Sequence, residues 1–244
     1  MKKKIGFILM MLACVTLVLS GMLSDIRIIG TDAGLYYKLQ SEADILDTAG
    51  ISDEDLRLLD DVLADYLAGK RETLADVEVT VFGEMQPAFN ERELTHMADC
   101  RGLFRLAKIW EIVLVVAAAL LLGFGGWLEE DHKWFCCLGI WSGAVAVAAL
   151  IGGFALWALN DFNAAFRFFH EMLFTNDLWM LDPRTDLLIR ICPSSMFASM
   201  GAQIAAQCGF TLLLVPTIGT VFAVLGSAYK GIRRKAAEVK KERK

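Results

Sequence analysis

Four long stretches almost free of charge punctuate the chain, and they dictate the first reading. Residues 5–23 are nineteen consecutive uncharged positions. At about 1.5 Å of helical rise per residue, that run approaches the roughly 30 Å of bilayer hydrocarbon. Residues 109–127, 134–159 and about 202–229 repeat the pattern, with Glu111 the one charged residue inside them. Four such segments are too few and too uniformly apolar for an alternating barrel. They are therefore predicted as helices, which satisfy their backbone groups internally.

The polar segments between them have periodicities of their own. In residues 24–104, Ser52 with Asp55 three positions on opens a stretch in which Leu56, Leu59, Leu63, Tyr66 and Leu67 recur at helical spacing, and Gly69 closes it. Val77, Val79 and Val81 alternate with polar residues, which predicts one short strand, and Pro87 is expected to break the chain after it. Asn90 is placed to cap a helix that runs to Lys108 and on into the second span. In residues 160–200, Phe162, Phe166, Phe169 and Leu173 recur at intervals of four, three and four, the mark of a short amphipathic helix at the membrane interface. Beyond it Trp179, Asp182, Asp186 and Arg190 interleave with Leu187, Leu188 and Ile189. That stretch is read as the wall of a cavity, or as an interfacial loop anchored by Trp179. The predicted fold is an all-α integral membrane protein: four transmembrane helices, a small α-rich extracytoplasmic cap and an interfacial loop helix.

An apolar share of 56% agrees with the membrane class, and the distribution of charge orients it. Lys2, Lys3 and Lys4 precede the first span, and eight basic residues against two acidic ones follow the last. An even number of spans puts both basic ends in the cytoplasm, so a multi-pass membrane protein is expected. The cap carries a net charge of −11, as suits a translocated segment. The expected layout is helix 1 at 1–23, the cap at 24–104, helix 2 at 105–127 and a cytoplasmic turn at 128–133. Helix 3 follows at 134–159, the extracytoplasmic loop at 160–200, helix 4 at 201–229 and a basic cytoplasmic tail at 230–244. Leu12, Ala13 and Cys14 resemble a lipoprotein cleavage box, but the apolar run continues to Leu23, so a retained anchor helix is expected.

The six cysteines scatter through or beside the spans and form no disulfide framework. Cys100 and Cys192, both expected near the outer face, could be bridged, but core or interface packing is the reading for all six. Candidate chemistry gathers at two histidines expected outside. His96 has Arg92 four residues before it, Glu93 three before and Asp99 three after, all on neighbouring parts of one helical face. A carboxylate beside an imidazole can fix its tautomer and raise its basicity, as a general base requires. The plain alternative is a surface histidine in a charged juxtamembrane helix. His170 stands three residues after Arg167 and beside an aromatic face, where histidines more often pack than react. A metalloenzyme is a weak rival, because no second histidine follows His170 and Glu171 at metal-binding spacing. A non-catalytic membrane partner or transport component is the other. No metal, cofactor or nucleic acid is expected.

Two blocks carry a family resemblance: FNERELTHMADCRGLF at 89–104 and FRFFHEMLFTNDLWMLDPRTDLLIRICPSSMF at 166–197. With the four-span layout, they resemble the bacterial integral membrane proteins that include lipoprotein intramolecular transacylases. Cys100 departs from the family pattern, where an aliphatic residue is expected, and so do Ser194 and Ser195, where an acidic one is usual. The resemblance implies transfer of an O-linked acyl chain of a diacylglyceryl-cysteine to the α-amino group of the same cysteine. The product is a lyso-form, N-acylated lipoprotein. It implies as substrate a diacylated bacterial lipoprotein held among membrane lipids. His96 would be the base, oriented by Asp99 or Glu93, and His170 an oxyanion donor or relay. Arg92, Arg167, Trp179, Asp182, Asp186 and Arg190 would support or bind. Because ester and amine lie on one molecule, proximity supplies much of the rate and no serine or cysteine nucleophile is required.

Overall fold

The computed structural model describes residues 2–43, 45–128 and 133–242. Most of the expected cytoplasmic turn at 128–133 thus falls outside the described residues. Helices α1 (Lys2–Ile29), α5 (Glu91–Leu128), α6 (Lys133–Asn160) and α9 (Ser194–Glu242) are the long ones. All four contain stretches long and apolar enough to cross a membrane. Between them lie α2 (Ala33–Glu42), α3 (Leu46–Ala49), α4 (Asp53–Ala68), β1 (Glu78–Val81), β2 (Glu84–Pro87), α7 (Phe162–Leu173) and α8 (Leu187–Ile191). The long helices outrun the apolar stretches: α1 reaches Ile29, and α9 begins at Ser194 and contains Pro216.

The chain divides into two compact units. The first comprises 1–22, 111–152 and 207–244. Its interior is made by Met10, Cys14 and Val18 of α1 against Ile140, Ala144 and Val147 of α6, with Leu212 and Val215 of α9 packed alongside. Backbone approach makes this contact close. A Cβ on Gly139 would stand 2.5 Å from the Phe7 carbonyl oxygen, and one on Gly143 2.5 Å from that of Met11. The spacing is the small-xxx-small pattern by which membrane helices pack without a hydrophobic driving force.

The second unit comprises 23–110 and 153–206 and holds the larger core. Helix α4 starts where expected: Ser52 Oγ accepts from the Asp55 amide at 3.0 Å, and Gly69, at φ 78°, closes it in the left-handed conformation. Leu56, Leu59 and Leu63 are fully buried, each contributing about 1.5–3 kcal/mol. Where one strand and a break were expected there is a hairpin, with Val81 opposite Glu84 and Glu78 opposite Pro87. Phe82 and Gly83 both take positive φ at the turn, 50° and 87°, as a two-residue hairpin demands. Pro87 ends the second strand.

Candidate active site

Helix α5 begins with a reciprocal cap. Asn90 Oδ1 accepts from the Glu93 amide at 3.1 Å, while Glu93 Oε2 accepts from the Asn90 amide at 2.8 Å. One turn on, His96 is 7% exposed, and His170, on α7, is 9% exposed. Their ring centroids lie 6.2 Å apart. Phe174 bridges them, edge-on to His96 at 5.2 Å and stacked on His170 at 5.6 Å. Phe166 at 4.2 Å, Trp179 at 5.0 Å and Phe169 at 5.7 Å complete the aromatic surround of His170.

The two imidazoles are held differently. His170 Nδ1 is 2.8 Å from the carbonyl oxygen of Phe166, one turn back on the same helix. A carbonyl only accepts, so Nδ1 carries the proton and Nε2 keeps its lone pair. His96 instead meets Cys100, whose Sγ is 3.6 Å from Nε2. Burial lowers the pKa of both rings. His96, ahead of the apolar stretch that starts at residue 109, falls to about 4, with the neighbouring His170 adding to the effect and Asp99 opposing it. His170 falls below its ordinary value through burial, which the Phe166 bond partly offsets. Both are neutral near pH 7.

The carboxylates expected beside His96 are engaged elsewhere. Glu93 is buried, and its Oε1 accepts from the Leu188 amide at 2.7 Å. Asp99 Oδ2 accepts from Asn176 Nδ2 at 2.9 Å. Neither makes a hydrogen bond to the imidazole, because both are used to hold the segment after α7. Arg92 joins them, donating to the Asp177 carbonyl. Trp179 Nε1 donates to the Asn176 carbonyl at 3.0 Å, which fixes the indole beside His170. Asp186 accepts from Asn90 Nδ2, Thr185 Oγ1 and the Asp182 amide, all at 2.8 Å.

Three candidates stand apart from the rings. Arg167 pairs with Glu171 at 2.8 Å on the exposed side of α7. Asp182 binds Arg184, which holds its carboxyl at about 2. Arg190 donates to the Ala49 carbonyl at 3.1 Å and lies over the Phe82 ring. Cys100 and Cys192 carry free thiols, and burial pushes Cys100 up to about 12. Among the described residues no group of three His, Cys, Asp or Glu side chains is placed to hold a metal ion. The i+4 relation would have found Cys100 beside His96 and both Phe166 and Phe174 beside His170. Glu93 on Leu188 and Asn176 on Asp99 left no local signal.

Four helices long and apolar enough to cross a bilayer define a polytopic integral membrane protein. The membrane-integral lipoprotein intramolecular transacylase Lit from Bacillus cereus matches with a TM-score of 0.60 at 18% identity, over 94% of this chain and 96% of that one. The same protein with a histidine-to-arginine substitution matches with a TM-score of 0.68 at 17% identity, over 91% and 93%. No curated protein sequence matches. The model of the family described as lipoprotein intramolecular transacylase Lit matches residues 9–197, and the chain belongs to that family of acyltransferases.

Proposed function

We propose that this transacylase moves an O-linked acyl chain of a diacylated lipoprotein to the α-amino group of its N-terminal cysteine, with His170 and His96 handling the charge. The observation that carries the reading is the bond from His170 Nδ1 to the Phe166 carbonyl at 2.8 Å. It supports a division of roles opposite to the one the sequence suggested. A base needs a free lone pair, and His170 Nε2 has one; His96, neutral and less constrained, has an N–H to donate.

The unprotonated amine attacks the ester carbonyl carbon and passes its proton to His170 Nε2. The oxyanion accepts a hydrogen bond from His96. Collapse breaks the bond to the glyceryl oxygen, which takes the proton back from the imidazolium. An amide forms, an ester is lost, a glyceryl hydroxyl is freed, and the enzyme is unchanged. The aromatic surround excludes water, which would otherwise hydrolyse the ester. Basic ends and an acidic cap favour a site on the extracytoplasmic side, with both termini inside.

Mass spectrometry of the N-terminal peptide of a co-expressed lipoprotein tests the reading. One N-linked and one O-linked chain on the cysteine is the expected product. Two O-linked chains with a free amine would overturn the assignment.

A further inference from the structure

We propose that Glu93 is a positioning residue that sets the spacing and shielding of the two imidazoles by capping α8 from α5. Glu93 is 1% exposed and touches neither ring, yet both its oxygens are occupied. Oε2 accepts from the Asn90 amide at 2.8 Å, at the start of its own helix. Oε1 accepts at 2.7 Å from the Leu188 amide, at the start of α8. One carboxylate thus satisfies orphan donors at two helix starts. Asn90 reinforces the clasp through its Nδ2, which donates to Asp186 Oδ1 at 2.8 Å.

The consequence lies in what hangs between α7 and α8. The connecting segment contributes Phe174, in contact with both imidazoles, and Trp179, in contact with His170. Its near end is tied to α5 by Asn176 on Asp99 and by Arg92 on the Asp177 carbonyl. Its far end is tied to α5 by Glu93 and Asn90. His96 lies one turn beyond Glu93 on α5. The clasp therefore fixes the helix carrying one imidazole against the segment that walls in the other. A carboxylate suits the task because both partners are N–H donors. A glutamine at this position would turn its NH2 against one of them and lose that bond.

This inference rests on the transacylase reading, but its test has a readout independent of turnover. Full-length Glu93→Gln is purified, its folding checked by circular dichroism and thermal melting, and each histidine carbethoxylated with diethylpyrocarbonate and followed by peptide mass spectrometry. His132 serves as the internal reference. Reaction at His96 and His170 should accelerate about tenfold or more relative to His132. On a diacylated lipopeptide, kcat per folded enzyme should drop about 10- to 100-fold with KM nearly unchanged, the loss expected when reacting groups are misplaced. Asn90→Ala, which removes the outer half of the clasp, should move both readouts in the same direction but less. If folded Glu93→Gln and Asn90→Ala both keep wild-type modification rates and wild-type kcat, the proposal is wrong. If loss of activity only tracks loss of folded protein, it is also wrong. Faster modification with no N-acylated product from the wild type would sink the transacylase reading and leave the positioning role standing.

Discussion

His170 Nδ1 and the Phe166 carbonyl oxygen are 2.8 Å apart on one helix, and this bond decides which nitrogen of the ring can take a proton. The carbonyl also receives the ordinary helical amide, so one oxygen serves two donors. Burying the ring therefore leaves no unsatisfied N–H behind, a defect that would cost about 1–3 kcal/mol.

Because burial holds both imidazoles neutral, the acid limb of kcat should lie below the ordinary histidine value of about 6.5. The base stays competent as pH falls until its lowered pKa is reached. In kcat/KM a second loss should appear at higher pH, as the substrate amine protonates through about 7.7–8.0. A kcat limb at or above about 6.5 would show a solvent-exposed base, contrary to this geometry.

Cys100 touches His96, but its thiol is pushed up to about 12 and supplies almost no thiolate near neutrality. Cys100→Ala should reduce turnover by less than about tenfold, and Cys192→Ala and the double Ser194→Ala, Ser195→Ala variant should behave alike. Trapping with hydroxylamine should release no acyl group from any of these four side chains. An acyl-enzyme isolated at one of them would replace proximity by covalent catalysis.

Asp60 is fully buried against Gln40, whose Nε2 donates to its Oδ1 at 2.8 Å. Burial raises its pKa from 3.8 to about 7. The folded state thus binds the proton more tightly than the unfolded chain. Its contribution is full below the unfolded value and is lost as pH rises through the folded one. Asp60→Asn should raise the Tm by several degrees at about pH 8.5 and change it little near pH 4. An equal change at both pH values would show that the carboxyl does not titrate there.

At Gly139 and Gly143 an added Cβ would meet α1 backbone oxygens at 2.5 Å, whereas at Gly152 it meets nothing within 4 Å. Gly143→Ala should cost about 1–3 kcal/mol of stability through forced separation of the helices. Gly152→Ala should cost far less. Equal thermal shifts for the two would show that α1 and α6 do not pack this closely.

The spans, α4 with its Ser52 and Gly69 ends, and α7 were legible in the sequence because each rests on spacing within one segment. The β1–β2 hairpin was not, since Phe82–Gly83 lacks the usual Asn-Gly or Asp-Gly signature of its turn. At the site, the chemistry could be read but not the wiring. His96 and His170 stood out by residue type, while Asp99 and Glu93 were assigned to His96 on helical spacing. Tertiary partners claimed both: Asn176 took Asp99, and the amide of Leu188 took Glu93. Local spacing could not anticipate a competing donor from a distant segment.

The central claim is that the two imidazoles act in one step. It is tested by turnover of a synthetic diacylated lipopeptide with purified His96→Ala, His170→Ala and the double variant, each verified as folded. Each single change should cost about 10²- to 10⁴-fold in rate. The double variant should lose far less than the product of the two, because groups acting as a unit are not additive. Losses that multiply, or a His170→Ala enzyme with near wild-type kcat, would contradict the account.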